Sequence, residues 1–104
     1  ARERRVPTAE VNRVLQELLS RIAPPQEQGD EVRLFYASQI GTRPPTIAIV
    51  SNRPDDVMES YQRYLHNGFR DAWGFTGAPL RLKFTSRGAS QHRRKDDGRR
   101  PRRG

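Results

Sequence analysis

The chemically most distinctive residues of this sequence are the arginines and lysines gathered at its C-terminus. The last eighteen residues carry eight basic side chains and only two acidic ones. Basic runs of this kind neutralise phosphates and release counterions, so the pattern favours an arm that binds RNA phosphates over a solvated tail that only aids solubility. Because the segment has almost no apolar side chains to bury, we expect residues 87–104 to form a disordered basic tail. The expected phosphate-binding residues are Arg87, Arg93, Arg94, Lys95, Arg99, Arg100, Arg102 and Arg103.

Residue types that support catalysis or bind metal ions are scarce. There is no cysteine, and His66 and His92, the two histidines, are not at metal-ligand spacing, which argues against a zinc site. The adjacent Asp55 and Asp56 are better explained as caps of a helix than as an acid–base pair. The sequence contains no Gly-x-x-x-x-Gly-Lys-Ser/Thr motif, so we do not expect this chain alone to hydrolyse nucleotides. We therefore predict no catalytic residue, no metal site and no cofactor in this chain.

The excess positive charge lies at the two ends of the chain. The 104 residues have a formal net charge of +8, yet residues 7–86 contain nine basic and nine acidic side chains. We predict one folded domain at 7–86, preceded by a basic linker remnant at 1–6. No apolar stretch approaches the ~20 residues of a membrane helix, so we expect no membrane partner and a cytoplasmic location. The chain begins at Ala1, which fits either removal of an initiator Met or excision from a longer protein.

Two amphipathic helices are predicted from apolar residues at helical spacing. The first follows Thr8, its expected N-cap, and ends near the prolines at 24 and 25. The second follows the Asp55–Asp56 turn, and Gly68 within it indicates close packing, since glycine in a helix costs about 1 kcal/mol relative to alanine. The two apolar stripes are Val11, Val14, Leu15, Leu18, Leu19 and Ile22, and Val57, Tyr61, Leu65, Phe69 and Ala72.

Three strands are predicted at 31–40, 46–51 and 80–84. The first two are joined by a short turn and are expected to pair as an antiparallel hairpin. Simple alternation in the first strand places Tyr36 on the apolar face and Phe35 and Ala37 on the other. The expected fold class is α+β, with the order α-β-β-α-β and a three-stranded sheet covered on one face by two helices.

The sheet face opposite the helices is a second candidate binding surface. Arg33, Arg81 and Lys83 are expected there together, with Arg43 at the edge, for RNA binding or for docking to another domain. A solvated face is the competing interpretation. Most aromatic residues are expected in the core, whereas the less certain ones would offer base-stacking or protein contacts if exposed. These are Phe35, Tyr64, Trp73 and Phe75.

Several separate motifs agree in order and spacing with one known family. Over residues 4–86 the chain resembles the C-terminal domain of the EngA (Der) family of bacterial GTPases. The motifs that carry the resemblance are Val6-Pro7-Thr8, Val11-Asn12-Arg13-Val14-Leu15, Phe35-Tyr36-Ala37-Ser38-Gln39, Gly41-Thr42-Arg43-Pro44-Pro45-Thr46, Glu59-Ser60-Tyr61-Gln62-Arg63-Tyr64-Leu65 and Gly74-Phe75-Thr76-Gly77-Ala78-Pro79-Leu80-Arg81.

The resemblance implies a KH-like fold and a parent protein with two GTP-binding domains, which would hold GTP or GDP and Mg²⁺. It also implies a role in assembly of the large ribosomal subunit, with ribosomal RNA and the parent's own GTPase domains as partners. KH domains often clamp the nucleic-acid backbone with a GxxG loop between two helices. Gly74 and Gly77 match that pattern, but their loop precedes a strand, so a helix C-cap and turn is the simpler interpretation.

Two functions from different classes follow from these residues. The first is a KH-like, RNA- and ribosome-contacting domain whose basic tail binds RNA phosphates. The alternative is an intramolecular module that docks on the GTPase domains and relays their nucleotide state, leaving RNA contact to the tail. A free-standing small RNA-binding protein is a third interpretation. We expect the chain to be a monomer.

Overall fold

The computed structural model describes residues 4–26, 31–75 and 79–87. Its elements are α1 (Thr8–Arg21), β1 (Leu34–Thr42), β2 (Pro45–Ser51), a 3-10 turn (Pro54–Asp56), α2 (Glu59–Trp73) and β3 (Arg81–Ser86). The strands form one sheet in the order β1-β2-β3, in which β1 is antiparallel and β3 parallel to β2. The predicted α+β fold, its α-β-β-α-β order and the antiparallel hairpin are confirmed. No helix among the described residues is long and apolar enough to cross a membrane.

The hydrophobic core lies between the two helices and one face of the sheet. α1 and α2 each bury one stripe of the kind that their spacing predicts. Ile22 is 52% exposed because α1 ends at Arg21, so the apolar stripe of this helix is shorter than predicted. The main residues of the core cluster are Val11, Val14, Leu15, Leu18, Ala37, Ile47, Ile49, Tyr61, Leu65, Phe69 and Trp73.

Both predicted helix caps are displaced. α1 is capped by Pro7, whose carbonyl accepts hydrogen bonds from the amides of Glu10 and Val11, so Thr8 is the first helical residue. Asp55 and Asp56 lie in the 3-10 turn, and α2 begins later, at Glu59. These acidic residues therefore belong to a separate turn and do not cap the second helix.

The two helices pack closely through Gly68. A methyl group at this position would lie within 3.0 Å of both Leu18 Cδ atoms, which confirms the close packing that glycine indicates. Tyr61 and Tyr64 donate hydrogen bonds from their hydroxyls to the carbonyls of Ile22 and Leu18. The Leu18 carbonyl also accepts from the amide of Ile22, so the two tyrosines add side-chain hydrogen bonds to the last turn of α1 and to its C-cap residue. Burial, and to a smaller extent the neighbouring Tyr64, raises the pKa of Tyr61 to about 12.

A β-bulge in β1 reverses the predicted faces of this strand. Leu34 pairs with Ser51 and Tyr36 with Val50, so Phe35 is an extra residue in β1. Alternation is broken at this point, and Tyr36 is 45% exposed whereas Ala37 is buried in the core. The prediction that placed Tyr36 on the core side and Ala37 opposite is therefore wrong, because it assumed an uninterrupted strand.

Candidate nucleic-acid interface

The open face of the sheet carries a row of basic side chains from β3. Arg81 and Lys83 are exposed, while Leu82 and Phe84, between and beyond them, pack against the core cluster. The alternation follows from the pleat of the strand, which sends successive side chains to opposite faces. The predicted separation of β3 into one apolar and one basic face is thus observed.

The bulge adds two consecutive aromatic residues to the same open face. Phe35 and Tyr36 both lie opposite Val50, and neither belongs to the core cluster beneath the helices. Val50 is only 5% exposed although it too lies outside that cluster. It is therefore covered from the open side of the sheet. This part of the open face has an apolar, aromatic floor.

Two arginines contact the ring of Phe35. The guanidinium carbon of Arg87 lies 4.1 Å from the ring centroid, and that of Arg33 lies 5.9 Å away. Both distances are within the range in which the ring quadrupole attracts a cation. Arg87, expected to begin the basic tail, therefore lies on the sheet face in the described part of the chain.

The basic residues of the fold are spread along the sheet. Arg33 lies next to Leu34, at the end of the sheet where Leu34 pairs with Ser51 and Ser51 with Ser86. Arg81 pairs with Thr46, at the opposite end of the strands. Arg81 and Ser86, the two ends of β3, are five residue steps apart, which is about 17 Å at the usual rise of a strand. Lys83 lies between them, and Arg43 lies in the hairpin turn at the Arg81 end. The structure therefore places Arg33, Lys83 and Arg81 along one face and Arg43 in the turn at one end, but does not bring Arg33 and Arg81 together.

The three strands give this face basic side chains but no acidic ones. None of the three strands contains an aspartate or a glutamate, so no acidic side chain from the sheet balances Arg81, Lys83 or Arg87. Glu10, Glu17 and Asp56 form salt bridges within α1 or at the 3-10 turn. The open face is therefore suited to an anionic partner.

The segment before α1 is fastened to the edge strand β1 by a buried glutamine. The side-chain oxygen of Gln39 accepts from the amide of Val6 at 2.7 Å, and its nitrogen donates to the carbonyls of Arg4 and Gly41 at 2.9 and 2.8 Å. Val6 itself is buried in the core. The sequence did not predict this role for Gln39, because Val6 and Arg4 lie 33 and 35 positions away from it.

A second amide side chain pairs with the backbone of β1. Asn12 on α1 donates to the carbonyl of Ala37 and accepts from its amide, both at 2.8 Å. Sequence reasoning singled out neither Asn12 nor Gln39 for a role, although both belong to motifs shared with the family. Their hydrogen bonds satisfy backbone groups and position β1, so their contribution to the interface is indirect.

The structure describes Gly74 and Phe75 of the Gly74–Gly77 loop. Gly74 ends α2 in the left-handed conformation, with φ of +65°, and its amide donates to the carbonyl of Arg70. Phe75 is buried edge-on against Trp73, and the guanidinium of Arg4 lies 4.9 Å from its ring centroid. This geometry is that of a helix C-cap. Residue Gly77 lies outside the described residues.

Trp73 is held in place at the end of α2. Its backbone carbonyl accepts from Arg4, and its indole N–H donates to the Glu10 carboxylate at 3.2 Å. The hydrogen bonds from Arg13 and, next in importance, from Trp73 lower the pKa of Glu10 to about 2. The network connects the N-terminal segment, α1 and the end of α2.

The described residues contain no group of three or more side chains that could hold a metal ion. The other members of the predicted tail lie outside the described residues: Arg93, Arg94, Lys95, Arg99, Arg100, Arg102 and Arg103.

Comparison with known proteins connects this geometry to a family. Residues 5–85 match the family described as KH-domain-like of EngA bacterial GTPase enzymes, C-terminal. The chain is 57% identical over 81 residues to a GTPase Der of Gemmatimonas aurantiaca, which is 78% of this chain and 19% of that protein. It is 48% identical over 84 residues to a GTPase Der of Geotalea daltonii, covering 81% of this chain and 19% of that protein. The chain therefore spans about a fifth of the length of these curated relatives.

Proposed function

Because the chain belongs to the family of KH-like C-terminal domains of EngA bacterial GTPases, we propose that it contacts RNA and the ribosome for a GTPase that assembles the large ribosomal subunit. The parent protein would hydrolyse GTP in domains outside this chain, and GTP, GDP and Mg²⁺ would be bound there. The domain itself would act as a monomer in the cytoplasm.

The observation that carries this proposal is a sheet face on which the strands place basic side chains and no acidic ones. Arg81 and Lys83 point away from the core along an exposed edge strand, and no acidic residue of the strands competes with phosphates for them. Arg33 and Arg87 extend the positive surface toward the other end, and Arg43 extends it at the hairpin turn. A row of separated cations suits a phosphate backbone, which presents charges at regular intervals.

The basic tail would add affinity without selectivity. Its arginines and lysine would neutralise phosphates wherever the fold has positioned the RNA, so affinity should fall steeply with salt. Deletion of residues 88–104 should then remove most of the affinity while leaving the fold intact. Equal binding of ribosomal RNA by the truncated and full chains would exclude the tail as an RNA-binding arm.

A second function, docking on the GTPase domains, is favoured by the attachment of the N-terminal segment. Two hydrogen bonds of the Gln39 side chain, with the Val6 amide and the Arg4 carbonyl, fix residues 4–6 against β1, so an upstream domain would be joined to the fold at a defined point. Movement of that domain would be transmitted to β1 and, through Arg4, to the end of α2. In this function the sheet face would contact protein.

Amide chemical shifts of the labelled chain distinguish the two functions. Adding ribosomal RNA should shift amides along β3 and around Arg33, and adding separately produced GTPase domains should leave those amides unchanged. Shifts at β3 with the GTPase domains and none with RNA would favour docking and contradict the proposal of RNA contact.

A further inference from the structure

The bulge in β1 gives the open sheet face a feature that phosphate binding does not require. It places two consecutive aromatic residues, Phe35 and Tyr36, on the open face, where an uninterrupted strand would have turned one of them into the core. Ala37, the next residue, is buried, so the displacement is confined to the bulge. The ring of Tyr36 is 45% exposed and is the largest exposed aromatic surface among the described residues.

Two arginine guanidinium groups lie over the ring of Phe35. Arg87 places its guanidinium 4.1 Å from the centroid of the Phe35 ring, and Arg33 approaches the same ring at 5.9 Å. A planar guanidinium on an aromatic ring presents a second planar surface to solvent, on which a nucleobase can stack. Tyr36 offers an aromatic surface of its own beside this pair.

The charge of the face decides between the partners that would use an aromatic surface. The basic side chains of this face are Arg33, Arg81, Lys83 and Arg87. A protein partner would have to supply acidic groups to all of them, whereas RNA supplies phosphates next to flat, apolar bases. Lys83 and Arg81 follow along β3 from the end that carries the aromatic residues. An RNA strand bound along β3 would therefore contact the aromatic rings at one end and the basic side chains farther along. Bases paired in a duplex are not available for stacking on a side chain, which restricts the ligand to unpaired nucleotides.

We propose that Tyr36 and the Phe35–Arg87 pair form a stacking site for one or two unpaired RNA bases, with Lys83 and Arg33 contacting the adjoining phosphates. This inference rests on the proposed RNA-binding function and adds to it the form of RNA that is recognised. Single-stranded segments are bound through their bases on the sheet.

The test separates base contacts from phosphate contacts. The probes are a ten-nucleotide RNA of alternating A and C, which does not pair with itself, and an abasic ten-mer with the same phosphates. Stacking contributes about 1–3 kcal/mol per base, so the 104-residue chain should bind the first probe about five- to 100-fold more tightly. Tyr36→Ala should remove most of this difference and leave the affinity for the abasic probe unchanged.

Matched variants exclude loss of folding and loss of apolar surface as explanations. Tyr36→Phe keeps the ring and should retain binding, whereas Tyr36→Leu keeps the apolar surface and should lose it. Ile40→Ala removes an exposed apolar side chain from the same strand and should have no effect on either probe. Thermal unfolding of each variant verifies that the fold is retained.

Three results would overturn the inference, and they have different consequences for the proposed function. Equal affinity of the native chain for the two probes would exclude stacking while leaving phosphate binding in place. Failure to bind either probe would contradict both proposals. Loss of binding to separately produced GTPase domains in Tyr36→Ala, with both probe affinities unchanged, would assign the aromatic surface to a protein contact.

Discussion

Substitution of Gly68 by alanine tests the closest contact between the two helices. In an exposed helix this change stabilises by about 1 kcal/mol, because alanine has the higher helix propensity. Here the new methyl group would lie within 3.0 Å of both Leu18 Cδ atoms. Overpacking of a buried site costs about 1–3 kcal/mol. Because Leu18 is only 3% exposed and has little room to move, we expect a net loss of about 1–2 kcal/mol.

The sign of the effect should reverse when the opposing side chain is shortened. Leu18→Ala alone should cost about 2–5 kcal/mol, as for other buried leucines. In that background Gly68→Ala no longer meets a side chain and should stabilise by about 1 kcal/mol. The double-mutant cycle should therefore give a coupling energy of about 2–3 kcal/mol.

Urea unfolding provides the assay, followed through the fluorescence of Trp73, the single tryptophan, which is buried at the end of α2. Free energies of unfolding for the native chain, the two single variants and the double variant complete the cycle. A stabilised Gly68→Ala variant in the native background, or the same effect in both backgrounds, would refute the close helix contact.

Three further predictions concern the hydrogen-bond networks. Gln39→Leu should lower the free energy of unfolding by about 2–4 kcal/mol, because it leaves the buried amide of Val6 without a partner. If the substitution cost a similar amount in a chain lacking residues 1–6, this reason would be wrong. Glu10 has a pKa of about 2 in the fold, so its contribution to stability is present above the unfolded pKa and is lost as the pH falls through about 4 to 2. Glu10→Gln should therefore flatten the acid limb of the stability profile, and an unchanged acid limb would argue against the hydrogen bonds to its carboxylate. Tyr61→Phe should cost about 1 kcal/mol by removing the hydrogen bond to Ile22. The pKa of Tyr61 is raised, so stability should fall as the pH rises through about 10 to 12, and Tyr61→Phe should reduce that loss when measured by chemical denaturation.

The elements of the fold could be predicted because their apolar periods are long and regular. The helical stripes and the β-branched run of β2 predicted two helices and a central strand, and the structure confirms them. Gly68 indicated close packing for a physical reason that holds in the structure, since a Cβ atom there would lie within 3.0 Å of the Leu18 side chain.

The details that shape the interface depend on single residues and on distant partners. The bulge at Phe35 adds one residue to β1, and nothing in a pattern of alternation marks where such an insertion occurs. Gln39 and Asn12 satisfy backbone groups far away in the sequence, which only the folded chain brings within reach. The spread of Arg33 and Arg81 along the sheet follows from strand register, which residue types alone do not specify.

The salt dependence of RNA affinity tests the central claim, that the basic row on the open sheet face contacts RNA phosphates. Affinity of the 104-residue chain for a single-stranded ten-nucleotide RNA should be measured over a range of salt concentrations. Each lost phosphate contact lowers the slope of log affinity against log salt by about 0.7 for single strands, so Arg81→Gln with Lys83→Gln should lower it by about 1.4. Arg63→Gln with Arg70→Gln removes two exposed charges from α2 and should leave the slope unchanged. Equal slopes for the two double variants would contradict the assignment of the sheet face as the RNA contact.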